Sequence, residues 1–503
     1  YFPYYLVPRG VWRDFNKTVF IMSFFLRGKG KKTEQNGIKR KKLPVQDEER
    51  GGKGKRRRQA KLDEEIESDE EIDSDEAVGA KNGVSSDEED VETAQEVKLR
   101  KAKEYLAKLK EEEEQKEEVD DVTHDSISHR LQQDDLAQSG KLHKLVSDQY
   151  TCPDPASIRA LRGHQLPVTC AVVSPDSKTA FSASKDGSII KWCLQSDKKQ
   201  HIIPGGRKGT EKTHLGHTGC VLCMAITSDG KFLATGDANK LIHIWDPATC
   251  RKIKTFTGHR QEVSGLAFRK NSHQLFSAGF DRLVKVWDLD EMTFVENLFG
   301  HEGSITAIDS LIRERAVTVG RDRLVFIFKV PEETAVKFVK HIHSDCVALI
   351  NESNFITGGE ENTLCLWSVM KKKPVFTFKN AHTGTVEGKT TSPVGENWIT
   401  AVASLQFTDL IASGSKDGFV RLWKCSSDFR TLTPLFAIPL PGFVNSLQFS
   451  PNGDFLLAAV GQEHRLGRWW RLKQAKNAVY VIPLPKKTLI AETSSERMVA
   501  LEA

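Results

Sequence analysis

Nowhere in its 503 residues does the chain carry a run of 18 apolar residues, so no helical membrane span and no membrane partner are expected. Cysteine is scarce as well: nine residues, scattered and odd in number, make no disulfide framework. Cys220 and Cys223 have CxxC spacing, but strand residues three apart face opposite sides and no second pair completes a zinc site. Core packing in a reducing compartment is their expected role, and no metal is called for. Also missing are a nucleophile elbow, a phosphate loop and any unrepeated carboxylate pair. Neither catalytic residues nor a cofactor are therefore expected, and the chain reads as a binding protein.

Charge is plentiful but unevenly placed. Residues 1–60 carry 17 Lys and Arg against 5 Asp and Glu, whereas residues 61–150 sum to about −17. The whole chain is +5, so the remainder is positive again. A sign that changes twice is the asymmetry of nucleic-acid or chromatin-associated proteins with charged tails. Residues 1–21 open without Met and are broken by Pro3, Pro8, Arg9 and Arg13. They lack the apolar core of a signal peptide, and Met22 is the expected initiator, which makes 1–21 a leader foreign to the native protein.

Residues 22–91 form a charged tail that lacks the apolar residues needed to offset ordering entropy, so disorder is expected there. Two basic clusters, Lys39, Arg40, Lys41, Lys42 and then Lys53, Lys55, Arg56, Arg57, Arg58, have the bipartite spacing of a nuclear import signal, with an import receptor as partner. Acidic runs follow, with Ser68, Ser74, Ser85 and Ser86 embedded in them as candidate sites for an acid-directed kinase. Residues 92–118 hold no Gly or Pro and many helix formers, which predicts a helix; 127–146 reads as a second amphipathic stretch. Together they make a helical extension, 92–150, suited to docking on the rest of the chain or on a partner.

From about residue 158 one pattern recurs with a period near forty, the mark of a WD40 β-propeller. Gly163-His164, Gly216-His217, Gly258-His259 and Gly300-His301 open units, with weaker openings at His341 and Ala381-His382. Units close on Trp192, Trp245, Trp287, Phe328, Trp367, Trp423 and finally Trp469 or Trp470. Six residues before the closing aromatic stand Asp186, Asn239, Asp281, Asp322, Glu361 and Asp417; ten before it stand Ser182, Thr235, Ser277, Thr318, Thr357 and Ser413. Hydroxyl, His, carboxylate and indole at these spacings predict a buried hydrogen-bond network in each blade, and repetition in blade after blade marks it as structural. The expected fold is all-β: a seven-bladed propeller over 151–485, followed by a disordered tail, 486–503. An outer strand from one end must close the ring, supplied by 157–161 or by 478–484. Insertions at 205–212 and 384–397 are loops where function concentrates.

The seventh unit, PGFVNSLQFSPNGDFLLAAVGQEHRLGRWWRL (441–472), breaks the pattern. Pro441-Gly442 replaces Gly-His, Ala459 or Val460 takes the hydroxyl column, and Glu463 or His464 the carboxylate column. In place of the network stand Gln462, Glu463, His464, Arg465, Arg468 and Arg471 around Trp469 and Trp470, which point to opposite faces if they lie on a strand. Arginines beside aromatic groups suit phosphate contact with base stacking.

The stretches ETAQEVKLRKAKEYL, RLQQDDLAQSGKLHKLV, LRGHQLPVTCAVVSPD, HTGCVLCMAITSDGKFLATGD, FTGHRQEVSGLAF and above all VGQEHRLGRWWRLK resemble the U3 small nucleolar RNP-specific WD-repeat family of the small-subunit processome. The resemblance runs from about residue 92 to 485. It implies a non-catalytic nucleolar protein that binds the box B/C region of U3 small nucleolar RNA together with a kink-turn-binding protein and other box C/D and processome proteins. It further implies a role in pre-ribosomal RNA processing for 18S formation. Carried onto this chain, the distinctive motif spans Gln462 to Arg471. Arg465, Arg468 and Arg471 are then expected on phosphates, and His464 with one tryptophan on a base or partner. The alternative is a substrate receptor or scaffold of a nuclear ubiquitin ligase. Against it, the repeats continue as Trp245-Asp246-Pro247-Ala248 and Trp287-Asp288-Leu289-Asp290, without the Trp-Asp-x-Arg of such receptors.

Overall fold

A computed structural model of the chain describes residues 94–114, 124–207, 209–210, 214–339, 343–383, 385–386, 389–390, 397–467 and 471–487. The basic clusters, the acidic-tract serines and the triplet Arg468, Trp469 and Trp470 lie outside the described residues.

Seven four-stranded antiparallel sheets follow one another as blades. Blade 1 begins at Val168–Val173, blade 2 at Val221–Ile226, blade 3 at Val263–Phe268, blade 4 at Ile305–Asp309, blade 5 at Ser344–Leu349, blade 6 at Ala401–Ser404 and blade 7 at Phe443–Phe449. Inner strands such as VTCAVV and VSGLAF are buried on both faces, so they are mostly apolar instead of alternating, and the hydroxyls of Thr169 and Ser264 donate to neighbouring carbonyls. Outer strands such as KKQHII are mostly exposed. Each closing aromatic packs backwards onto the preceding blade. Trp192 sits with Leu457, Ala459 and Val479 of blade 7, and Trp287 with Ala234 and Ile244 of blade 2.

Both candidate closing segments take part in closure. Ala478–Pro483 is the third strand of blade 7, and Arg159–Leu161 pairs with it antiparallel as the outer strand, with Ala160 opposite Tyr480. The C-terminal chain then meets the N-terminal chain once more, where Lys487 N–H donates to the Gln149 carbonyl and Thr151 N–H to that of Pro485.

Among the described residues the network of hydroxyl, His, carboxylate and indole is complete in blades 2, 3 and 6, whereas blade 5 keeps the Trp367 indole on Thr357, with the expected Glu361 exposed. In blade 3 the Trp287 indole donates to Ser277 Oγ at 2.8 Å, His259 Nε2 lies 2.8 Å from the same oxygen, and Nδ1 lies 3.0 Å from Asp281. The carboxylate accepts an N–H from Nδ1, and the hydroxyl oxygen accepts the indole N–H while contacting Nε2, so one hydroxyl links the indole to the ring. Blade 6 repeats this with His382, Ser413, Asp417 and Trp423. Blade 2 alters it: His217 pairs with Asp237 at 2.9 Å, while Asn239, the expected partner, donates to Thr218. In blade 4 Phe328 closes the unit, and His301 still bridges Thr318 and Asp322.

The N-terminal extension contains two helices, α1 (Ala94–Glu114) and α2 (His124–Gln138), joined by a Tyr105 hydroxyl donating to Asp134. The second is shorter than the apolar pattern to residue 146 predicts. Gly140, at φ +70°, turns the chain away, and a Cβ there would lie 2.4 Å from Glu352. Residues 139–150 then run across the first turns of blades 4 to 7. Arg313 donates to the Ser139 carbonyl, Glu352 N–H to that of Gly140, Lys144 N–H to that of Phe407, and Asp409 accepts from Val146 and Ser147. Tyr150 is buried among Leu405, Phe449 and Leu456. Tertiary hydrogen bonds have replaced the last helical turns.

Changing Ser277 to Ala strands both the Trp287 indole and His259 Nε2, and is expected to lower unfolding free energy by about 1–3 kcal/mol. Urea titration checks this; a loss below about 0.5 kcal/mol would show that the network contributes little.

Candidate functional site

In blades 1 to 6 the second and third strands are joined by three or four residues, as at 280–283. In blade 7 residues 462–477 intervene between Phe455–Gly461 and Ala478–Pro483. The distinctive motif is therefore an insertion at a turn, and this corrects the expected register. Ala458 faces Leu447 as Ser277 faces Leu266, so the hydroxyl column falls on Ala458 and neither on Ala459 nor on Val460. Four residues further on stands Gln462, which displaces Glu463 and His464 from the carboxylate column. Ile482 faces Leu456 as Trp287 faces Leu275, so the closing position belongs to Ile482 and not to Trp469 or Trp470. Counting along the chain assumed a short turn. Gly442, at φ +143°, lies against Val460, which would be 2.4 Å from any Cβ placed there.

The insertion is fastened from several directions. Gln462 donates to the Ala475 carbonyl and receives Asn477 Oδ1 at its own N–H, closing the base of the loop. Glu463 and His464 are both 7% exposed. Lys185 of blade 1 lies 3.6 Å from the Glu463 carboxylate and donates to the Gly467 carbonyl. The His464 ring stacks on Trp398, which precedes blade 6, at 5.3 Å between centroids. Burial, with Arg465, Lys185 and Arg321 nearby, pushes the His464 pKa down to about 3, so the ring is neutral.

Arg465 reaches furthest. The inner strands of all seven blades line a central channel, and Arg465 lies at its mouth. Its N–H donates to Asn445 Oδ1, and its guanidinium donates to the carbonyls of Thr306 in blade 4 and Asp345 in blade 5, at 3.2 and 3.4 Å. The channel thiol Cys170 is pushed up to about 12 by burial, so it is neutral and unreactive. Among the described residues no cluster of three or more His, Cys, Asp or Glu has metal-binding geometry.

The expected contact residues thus divide. Glu463 and His464 lie inside, and Arg465 is half-buried across the channel mouth. In this structure Arg465, expected on a phosphate, donates to carbonyls of blades 4 and 5, and His464, expected on a base or partner, stacks on Trp398. Arg471 differs. Its side chain is 62% exposed, held by Gln462 Oε1 at 2.9 Å with Glu463 at 3.9 Å. Trp398 and Asn445, which pack this loop, were missed from the sequence. Trp398, a tryptophan off the closing column, was the available signal.

Two outcomes follow. Arg465→Ala frees the loop from blades 4 and 5, and amide exchange at Leu472, whose N–H donates to the Gln462 carbonyl, is expected to quicken about tenfold or more; unchanged exchange would refute the anchoring role. For His464 the folded pKa of about 3 lies below the unfolded 6.5. Below pH 6.5 the unfolded chain binds a proton that the folded chain refuses, so stability falls as the pH drops towards 3. His464→Phe, which keeps the stack, is expected to remove about 1–2 kcal/mol of the loss seen in urea midpoints between about pH 7 and 5.

The family model described as the first beta-propeller of WD repeat-containing protein 75 matches residues 225–485, and the WD domain, G-beta repeat model matches 155–193. The human protein named U3 small nucleolar RNA-interacting protein 2 is 48% identical over 395 residues, 78% of this chain and 82% of its own length. The Arabidopsis thaliana U3 snoRNP-associated protein-like EMB2271 is 35% identical, over 78% of this chain and 86% of its own. A solved structure described as that of the RRP9 WD40 repeats is 50% identical with a TM-score of 0.63, covering 67% of this chain and 99% of that one.

Proposed function

The chain belongs to the U3 small nucleolar RNA-interacting protein 2 family, and we propose that it is a non-catalytic component of the U3 small nucleolar ribonucleoprotein, acting in pre-ribosomal RNA processing and small-subunit biogenesis in the nucleolus. In this reading the propeller binds U3 RNA at its box B/C region alongside a kink-turn-binding protein and other box C/D and processome proteins. The basic clusters at 39–42 and 53–58 deliver it to the nucleus through an import receptor, and the acidic-tract serines are targets of an acid-directed kinase.

The observation that carries the reading is the seventh-blade insertion, fastened to blades 1, 4 and 5 and to Trp398 and leaving Arg471 exposed beside a sequence that continues as Arg468, Trp469 and Trp470. A rigid base lets a short loop present cations and an aromatic group without losing conformational entropy on binding. Arg471 and Arg468 are assigned to phosphates and one of the two tryptophans to a base or a protein neighbour; Gln462, Glu463, His464 and Arg465 position them.

Crosslinking in cells followed by sequencing of the bound RNA tests this. One small nucleolar RNA is expected to dominate, with crosslinks reduced about tenfold by changing Arg468 and Arg471 to Ala together. A spread over messenger RNAs, or co-purification with ligase subunits and no RNA, would overturn it.

A further inference from the structure

The turns between second and third strands share one backbone in blades 1 to 6, each with a residue in the left-handed region. These are Gly187 at φ +77°, Lys240 at +71°, Arg282 at +70°, Arg323 at +63°, Asn362 at +57° and Gly418 at +84°. That region penalises a Cβ, so glycine and then asparagine are its usual occupants. Blades 1, 5 and 6 conform. Blades 2, 3 and 4, which are consecutive, place a cation there, and all three side chains are exposed.

Among the described residues no hydrogen bond or ion pair within the blades uses these side chains. The turns are closed by other groups: Lys240 and Arg282 contribute only backbone N–H donors, and Asp281 and Asp322 accept from the N–H groups of Leu283 and Leu324. The aspartates beside the cations do not neutralise them locally, because each turns inwards onto a histidine, Asp281 onto His259 and Asp322 onto His301. In these turns the aspartates point in and the cations point out; Glu302, the blade 4 counterpart of Arg260, is an exposed carboxylate at the rim of the stretch. Arg260, whose N–H donates to Asp281, and Arg321 are exposed on the same loops and extend the positive stretch. It ends at blade 5, where Glu360 and Glu361 are exposed in the corresponding turn. Because these turns occupy the position of the seventh-blade insertion, the stretch lies on the same face of the ring as Arg465 and Arg471.

We propose that Lys240, Arg282 and Arg323 form an arc that binds the phosphate backbone of a folded RNA, a second contact surface separate from the insertion. Exposed cations repeated on consecutive blades suit a ligand that carries many negative charges along its length, and contact of this kind reads charge without reading sequence. The proposal rests on the reading that this chain binds RNA, and gives that RNA a path across blades 2 to 4.

The test uses the full chain with Lys240→Gly, Arg282→Gly and Arg323→Gly combined. Glycine removes the charges and relieves the left-handed backbone, so thermal stability is expected to hold or rise, which separates loss of charge from loss of fold. The probe is a fluorescein-labelled RNA duplex of about 20 base pairs, titrated between about 50 and 200 mM salt. The triple variant is expected to bind at least about tenfold more weakly, with a slope of log affinity against log salt shallower by about 2 to 3. Arg282→Lys alone is expected to keep the parent slope. A triple variant with the parent's slope and affinity overturns the arc while leaving the cellular RNA crosslinks, and the function proposed from them, untouched. A parent chain that ignores the duplex, or a variant that loses only a polyglutamate peptide, overturns it as well.

Discussion

Three facing residue pairs of an antiparallel ladder, Arg159 with Val481, Ala160 with Tyr480 and Leu161 with Val479, join the first strand of the propeller to the last blade. The other blades depend on that seam. A four-stranded blade buries its faces only against its neighbours, so an open ring leaves two apolar faces wet, those of blades 7 and 1. Here the faces meet through Trp192, Leu457 and Val479. The seam is reinforced below the ring, where residues 139–151 and 485–487 cross. Both ends of the propeller segment, 139–161 and 478–487, are thereby committed to closing the ring.

A closed ring also explains how an irregular loop becomes a defined one. Arg465 finds carbonyls on blades 4 and 5, roughly half the ring away in sequence, only because closure sets those blades opposite blade 7. Lys185 reaches Glu463 for the same reason: blade 1 is the neighbour of blade 7 in space although they are far apart in the chain. Glu463 and Arg465 each meet an opposite charge or a carbonyl from an element that the loop could not supply itself, which offsets part of the cost of their burial.

The two faces of the ring then divide the work. One carries the strap of residues 139–150 and its buried Tyr150 and Asp409 contacts, which consume that surface in holding the chain together. The other carries the histidine–carboxylate pairs, the insertion and the left-handed cations. There the carboxylates are turned inwards as structural partners, which leaves positive side chains as the outward feature of blades 2 to 4.

Much of this was legible in the sequence, because the WD40 repeat writes its chemistry at fixed spacings. A tryptophan ten residues after a serine or threonine meets it because a short turn brings adjacent strands into one register, so blades 1, 3 and 6 could be read by counting. Counting failed where a turn lengthens. The 16 residues between Gly461 and Ala478 moved the third strand of blade 7 and gave the closing position to Ile482. It failed again at 139–150, where an apolar pattern fit for a helix was drawn into extended backbone by carbonyls and a carboxylate from distant blades. The sequence by itself determined the repeat, the number of blades and the motif that sets blade 7 apart, since these depend on residues close together in the chain. Only the tertiary structure decided which motif residues are spent inside and which face solvent, because burial is set by groups from other blades, such as Lys185, Thr306, Asp345 and Trp398, that are distant in the chain.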